Sequence, residues 1–468
     1  MTKAAAPAET GIETPRRYFA VAALSLGTAV TVLDSNVANV ALPTMARDLH
    51  VDGSSTVLVI TVYQLMLVML LLPCAGLGDR IGLKRFYQYG QVLFIVATVM
   101  CFFANSLPFL LIARGLQAMG AAAAVSMMTA MIRHIYPKRL WGRGIATNAV
   151  WGTLAAASAP TIGGLIVSFG EWRYVFLLGA PLAGVSLWLG RRSLPDIPPV
   201  ETPYNLGGAL LNVATFGLFF FGLESAVHGD SPVVSAFIVL AGIVFAIWFV
   251  RHELNERRPI LPLDLLARPV LALSCAAAFF AYMASMLQSI SLPFRLQHLY
   301  GFSPGEVGAV LAPQPLAMMV ISPVAGVMSD RIPPGILGAF GTLILCTALL
   351  LTAFPPAHPT YFDFAWRMAL CGVGMSCFFA PNSRLMMSET PRERAAATGG
   401  LISTTRLTGQ TLGATLVAAL FAMGLGNSPL PMLVGASFAL LAAVLSLSRV
   451  RLSGVAKPDS PPVDVPDL

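Results

Sequence analysis

Apolar residues recur along this chain in long blocks, near 18–42, 55–75, 86–105, 107–132, 143–168 and 173–190, each closed by a cluster of charge, Pro or Gly. A second series follows near 205–227, 232–250, 270–296, 305–328, 335–354, 361–385, 397–424 and 430–448. A helix rising 1.5 Å per residue needs about 20 apolar residues to cross a bilayer core of about 30 Å. The pattern therefore predicts about fourteen transmembrane helices.

An internal echo divides the series. Gly-Leu-Gly-Asp-Arg-Ile-Gly at 76–82, after span two, returns as Gly-Val-Met-Ser-Asp-Arg-Ile-Pro at 326–333. Six spans with short loops need about 200 residues, and the distance between the two Asp-Arg pairs exceeds that by about 50, room for two further spans. The predicted fold is an all-α integral membrane protein: two six-helix bundles with pseudo-twofold symmetry plus an inserted two-helix hairpin. Its expected parts are a cytoplasmic tail (1–17), an N-terminal bundle (18–192), a linker with two transmembrane helices (193–268), a C-terminal bundle (269–449) and a second cytoplasmic tail (450–468). Repeats of this kind put a substrate site between the halves near mid-membrane and let the halves rock about it.

Composition agrees with lipid as the solvent. Of the 468 residues 56% are hydrophobic and 11% charged, where soluble domains carry about 25% charge. The N-terminal stretch lacks the short apolar core and small-residue cleavage site of a signal peptide, so the first apolar block is expected to remain as a span. The net charge of +7 lies in short clusters between spans and forms no basic face interleaved with aromatics, which argues against nucleic acid. Of the 29 Lys and Arg, only Arg47, Arg173, Arg295 and Arg367 fall on the far side and Arg114 and Arg406 inside spans. By the positive-inside rule both termini are cytoplasmic, in a cell membrane crossed an even number of times.

Charge inside the spans marks candidate chemistry. An intramembrane carboxylate costs several kcal/mol unless paired, protonated or wet, so it is a functional candidate by default. Asp34 in span one and Glu224 in span seven are the two such acids. Glu224 lies near the outer end of its span, where an interfacial role competes. Around Asp34 the helix is polar, with Thr31, Ser35, Asn36 and Asn39 nearby, a pattern that helix–helix hydrogen bonding also produces. Asp34 stands some 17 residues into span one and Arg114 about seven into span four, which runs the other way, so both lie in the outer half at depths of about 25 and 10 Å from opposite faces. Arg114 and Gln117, one turn apart, are expected to line the same cavity and tune protonation of Asp34. Asp79, Arg80, Lys84 and Arg85, with Asp330 and Arg331, sit at helix ends, where charge-assisted bonds could clamp one state. Pro160, Gly163 and Gly164 predict a kinked, closely packed span five.

Leu33-Asp34-Ser35-Asn36-Val37-Ala38-Asn39-Val40-Ala41-Leu42-Pro43 resembles the span-one signature of the fourteen-span drug:proton antiporters of the major facilitator superfamily. Leu77 to Arg85 resembles the superfamily's loop motif, Arg114 and Gln117 its span-four motif, and Pro160, Gly163 and Gly164 its span-five antiporter motif. Trp172-Arg173-Tyr174-Val175-Phe176 is similar to the start of span six, as are Pro293, Gln297, Gly301, Ser303 and Pro304 to span nine and its loop. Arg406, with Gly409 and Gly413, resembles span thirteen. The resemblance implies proton handling by Asp34, proton coupling by Arg114, and Arg406 facing the central cavity.

The function expected is proton-coupled antiport that exports small organic, lipophilic cationic compounds by alternating access, from a monomer. The alternative is a metabolite or nutrient carrier of the same fold, since a fold does not fix its cargo. No G-x-x-x-x-G-K-[ST] loop exists for direct use of ATP. The six His lie near span ends or in loops without metal spacing, and the six Cys sit in apolar segments with no C-x-x-C pair. No enzyme activity, cofactor or metal is expected.

Overall fold

The computed structural model describes residues 11–137, 140–199, 204–229, 231–256, 259–390 and 394–453. Regular structure among them is helical throughout. The first six apolar blocks become α1 (Arg16–Asp48), α2 (Gly53–Ile81), α3 (Leu83–Phe102), α4 (Leu107–Ile135), α5 (Trp141–Phe169) and the pair α6 (Tyr174–Leu177) and α7 (Gly179–Ser193). Then come α8 (Leu206–Val227), α9 (Pro232–Asn255) and a short 3₁₀ helix, Leu263–Ala267. The last six become α10 (Pro269–Tyr300), the pair α11 (Pro304–Leu311) and α12 (Pro313–Met328), α13 (Pro334–Ala353), α14 (Tyr361–Ser388), α15 (Ala395–Ala422) and α16 (Leu430–Ser453). Lys138, Arg139, Arg257, Arg258 and Arg392 lie outside the described residues, as do most of both tails.

Counting each pair as one, twelve helices among the described residues are long and apolar enough to cross a membrane. α3 and α15 fall short on composition. The first opens on Lys84 and Arg85 and carries Gln88 and Gln91; the second holds Thr, Gln and Arg406 among its apolar residues. Three expected spans differ in course. Span one does not stop at Leu42, because α1 continues through Pro43 to Asp48. Spans six and ten are each two helices, the latter interrupted at Ala312 just before Pro313, a residue without an N–H to donate.

The helices pair in a pattern that occurs twice. In the first half α1 packs on α5 and α7, α4 on α2 and α3, and α3 on α7; in the second α10 packs on α15 and α16, α14 on α12 and α13, and α13 on α16. Close backbone approach repeats too. A Cβ added to Gly90 on α3 would meet the Gly120 carbonyl of α4 at 2.8 Å, and one on Gly341 of α13 would meet the Gly374 carbonyl of α14 at 2.6 Å. Small residues let helices in lipid exploit dispersion at short range, where no hydrophobic force separates them from the tails. Between the halves α2 meets α15, and α5 meets α11.

α8 and α9 pack on each other, and α8 also reaches α2 and α15. The docking has a local cause. Pro73 inside α2 lacks the N–H that would bond the carbonyl four residues earlier, that of Met69. Asn212 of α8 donates its amide to that carbonyl at 2.7 Å, and the Tyr204 hydroxyl donates to the Pro73 carbonyl at 3.2 Å. At the same end of the pair, Asn205 caps α8 by accepting from Gly208 N at 2.7 Å and donates to Glu253 of α9, which also accepts from Leu261 N at 2.9 Å. Glu253, buried at a helix end, is thus a structural staple.

Asn212→Leu is expected to leave the Met69 carbonyl buried and unpaired, costing about 1–3 kcal/mol and lowering the melting temperature of the purified protein in detergent. Adding Pro73→Ala, which returns an N–H to the α2 ladder, should recover a large part of that loss. Additive losses in the double variant would refute the proline-freed carbonyl as the docking point.

Candidate functional site

Asp34 and Arg114 are each 1% exposed and lie 2.6 Å apart, Oδ2 to Nη1, deep between α1 and α4. The remaining atoms around them form a closed network. Gln117, one turn along α4 from Arg114, donates from Nε2 to Asp34 Oδ1 at 3.0 Å and to Thr98 Oγ1 of α3 at 2.9 Å, while its Oε1 accepts from Arg114 Nη1 at 2.6 Å. Arg114 Nε donates to the Val59 carbonyl of α2 at 3.2 Å. The guanidinium also lies over the Tyr63 ring at 4.1 Å and the Phe176 ring at 5.2 Å. Both carboxylate oxygens and the guanidinium are therefore partnered from four helices, the condition under which a buried ion pair is tolerated.

The polar residues beside Asp34 in sequence do not join this network. Thr31, Ser35 and Asn36 bond back to the carbonyls of Gly27, Thr31 and Val32 of their own helix. Asn39 is buried with its Oδ1 unpartnered. The expected polar face around Asp34 is thus replaced by a polar contact with the neighbouring helices, because the next residues on the same face find backbone acceptors first.

Glu224 is enclosed by protein. It is buried where α8 meets α15, accepting from Thr415 Oγ1 at 2.7 Å, with His228 Nδ1 at 3.8 Å from its other oxygen. It shares no hydrogen bond with Asp34 or Arg114. Arg406 sits on α15 one turn before Gly409, whose missing side chain lets α15 close on Phe279 and Tyr282 of α10. Leu407 next to it packs with Tyr63 and Leu67 of α2.

A cavity of about 620 Å³ opens on the face where α1 begins, lined among others by Thr28, Asp79, Arg133, Asn148, Tyr204 and Ser403. The opposite end is closed. Gly163 meets Val37, Gly164 meets Pro304 and Gly308, and the Phe294 and Phe421 rings lie 4.6 Å apart. Pro160 takes part through its carbonyl, which faces Gly308. Of the helix-end charges, Lys84 pairs with Asp196 at 3.3 Å and Asp330 with Arg384. Asp79 lines the cavity mouth. Arg80, Arg85 and Arg331 enter no ion pair among the described residues. Outside the spans, hydrogen bonds from Arg394 hold the Asp264 carboxyl below its ordinary range and fasten the 3₁₀ helix to the start of α15. Among the described residues no group of three His, Cys, Asp or Glu could hold a metal.

The internal repeat carries the charge in one half only. Gly120 and Gly374 make equivalent contacts, and six residues before each stand Arg114 and Met368. Leu33-Asp34-Ser35 correspondingly recurs as Leu287-Gln288-Ser289. Gln288 does contact Met368, Nε2 to Sδ at 2.9 Å, and donates to Gln314 Oε1 of α12 at 2.9 Å. An amide pair thus occupies the place of the ion pair. The repeat was visible in sequence at the loop motif, but Thr98, Tyr63, Thr415 and the Gln288–Gln314 pair carry no local signal, since each acquires its meaning from a partner on another helix.

Comparison with known proteins agrees with the helical repeat. The chain is 37% identical over 443 residues to the uncharacterized transporter YebQ of Escherichia coli, covering 94% of this chain and 97% of that protein. It is 29% identical over 425 residues to the drug efflux pump JefA of Mycobacterium tuberculosis, covering 88% and 82%. Among solved structures, a bacterial homolog of the human lysosomal transporter Spinster, inward-facing and unoccupied, superposes with a TM-score of 0.69 at 18% identity over 94% of this chain and 98% of that one. The sequence model of the Major Facilitator Superfamily matches residues 24–413 and again 274–465. With its doubled helix-pairing pattern, its cavity open to one face and this match over most of its length, the chain belongs to the major facilitator superfamily and is a multi-pass membrane transporter.

Proposed function

We propose that this transporter exports small lipophilic organic compounds, cations among them, in exchange for protons, with Asp34 as the proton carrier. The observation that carries the reading is the buried Asp34 carboxylate held by Arg114 and Gln117. Protonation of Asp34 would cancel half of the pair and leave Arg114 with Gln117, the Val59 carbonyl and the Tyr63 and Phe176 rings as its only partners. A buried charge stripped of its counter-ion costs about 3–5 kcal/mol, enough to favour a rearranged packing of α1 against α4 and α2. Cargo that returns the protein to the paired state completes an exchange.

The finer architecture belongs to the same reading. α3 and α15 are taken as crossings despite their polarity, since each is packed against other spans, which gives fourteen. Residues 18–192 and 269–449 act as the rocking bodies, with 193–268 carrying the hairpin α8–α9. The face where α1 begins is cytoplasmic, as are both termini, so the cavity faces inward and the α5–α11 contact at Gly164 and Gly308 is the outer gate. Asp79, Lys84, Asp330 and Arg331 lie at the inner gate together with Arg80 and Arg85. Glu224, between α8 and α15, is a second titratable position where the hairpin meets the second body, and Asn36, Asn39 and Arg406 border the cargo path. JefA, named a drug efflux pump, supports small organic cargo, and the monomer is the expected working unit.

The test is dye efflux from energised cells or everted vesicles, with ethidium as the probe. For one proton exchanged per dye, each unit of pH gradient supplies about 1.4 kcal/mol, a tenfold concentration ratio. Asp34→Asn should abolish gradient-driven accumulation, as should an uncoupler on the parent. Gradient-driven transport that survives Asp34→Asn would move the proton site elsewhere, and an inert parent would defeat the drug-export reading. Arg114→Lys keeps a charge but loses the planar fork, and is expected to slow transport at least tenfold. The swapped pair, Asp34→Arg with Arg114→Asp, should also fail. Transport as strong as the parent's would exclude a finely placed proton site.

A further inference from the structure

Arg406 is a charge in the middle of α15 for which the described residues supply no counter-ion. Among the described residues its guanidinium forms no ion pair and donates no hydrogen bond. A cation at this depth costs several kcal/mol unless it is paired or faces water. Water is at hand, because Ser403, one turn earlier on the same helix, lines the open cavity. Arg406 therefore stands one turn beyond the part of α15 that lines the cavity.

Its neighbours come from both halves. Tyr63 of α2 and Tyr282 of α10 both lie within its electrostatic reach. The Tyr63 hydroxyl is buried and has no hydrogen-bond partner, which leaves a donor waiting beside an uncompensated cation. Tyr282 stacks on Phe379 of α14 with ring centroids 4.2 Å apart and planes at 21°. Other intramembrane charge does not offset Arg406. Asp34 is neutralised by Arg114, the equivalent position in the second half is the Gln288–Gln314 amide pair, and Glu224 bonds Thr415 nine residues further along α15, about 13 Å away.

We propose that Arg406 and the Tyr63 hydroxyl form a subsite for an anionic group, so that the preferred cargo is a flat aromatic compound bearing a carboxylate, amphoteric when it also carries a cation. The carboxylate takes charge-assisted bonds from Arg406 and a bond from Tyr63, and its aromatic body rests against the Tyr282–Phe379 stack. A wholly cationic dye meets an unpaired positive charge at this point and binds without that contribution. This inference rests on the export reading above and narrows its substrate class.

Rhodamine 110 and rhodamine 123 differ only in that the second is the methyl ester of the first's carboxylate, so they isolate the group at issue. In everted vesicles with an imposed proton gradient, the parent is expected to accumulate rhodamine 110 about tenfold or more faster than rhodamine 123 at equal subsaturating concentration. Arg406→Gln should remove that preference by slowing rhodamine 110 alone, and Arg406→Lys should keep part of it. A parent that favours rhodamine 123, or an Arg406→Gln variant that exports with the parental preference, overturns the subsite and leaves proton-driven export standing. A parent that moves neither dye nor ethidium overturns both readings. The comparison of dyes in the parent needs no variant, so a misfolded Arg406→Gln protein does not spare the proposal.

Discussion

Lipid offers no hydrogen bonds, so a charge drawn into this bundle is stabilised only by what the neighbouring helices supply. The pair of Asp34 and Arg114 is the most demanding case. Its two charges are held with no solvent of their own, and α1, α2, α3 and α4 each contribute an atom to the network that stabilises them. Shifting any one of these helices breaks a bond that water is not there to replace. The ion pair therefore ties together the packing of the first bundle.

The same constraint explains how the chain attaches α8 and α9. Proline within a membrane helix frees a carbonyl, and the freed Met69 carbonyl of α2 is met by Asn212 of α8. Glu224 on the same helix bonds Thr415 of α15. One helix of the hairpin is thus anchored to the first half through a backbone defect and to the second through a carboxylate. A rocking motion of the halves has to stretch, follow or break one of those two links.

The two halves share a packing plan and divide the chemistry. Glycine contacts between α3 and α4 recur between α13 and α14, which fixes the register of the repeat closely enough to compare single positions. At the position of Asp34 the second half has Gln288, and at that of Arg114 it has Met368. The helix contacts recur in both halves, where backbone proximity leaves little freedom, while the charged pair occurs in only one. Arg406 breaks the symmetry further by putting a cation on α15, the helix that meets α2 of the other half.

The sequence by itself determined the solvent, the helical class, the approximate place of most helices and the doubled plan, because about 20 apolar residues closed by charge admit few other structures in lipid. It also singled out Asp34 and Arg114, since intramembrane charges are rare enough to stand out one by one. Only the tertiary structure decided what those charges touch. Ser35 and Asn36, adjacent to Asp34 in the chain, turn back to their own helix, whereas Thr98 and Gln117 come from others. Glu224 lies near a span end in the sequence, and only the fold shows that α15 covers it. Tyr63, Thr415 and Gln288 have no signature of their own, for hydrogen-bond partnership between helices depends on rotation and depth, which hydropathy along one strand of sequence does not encode.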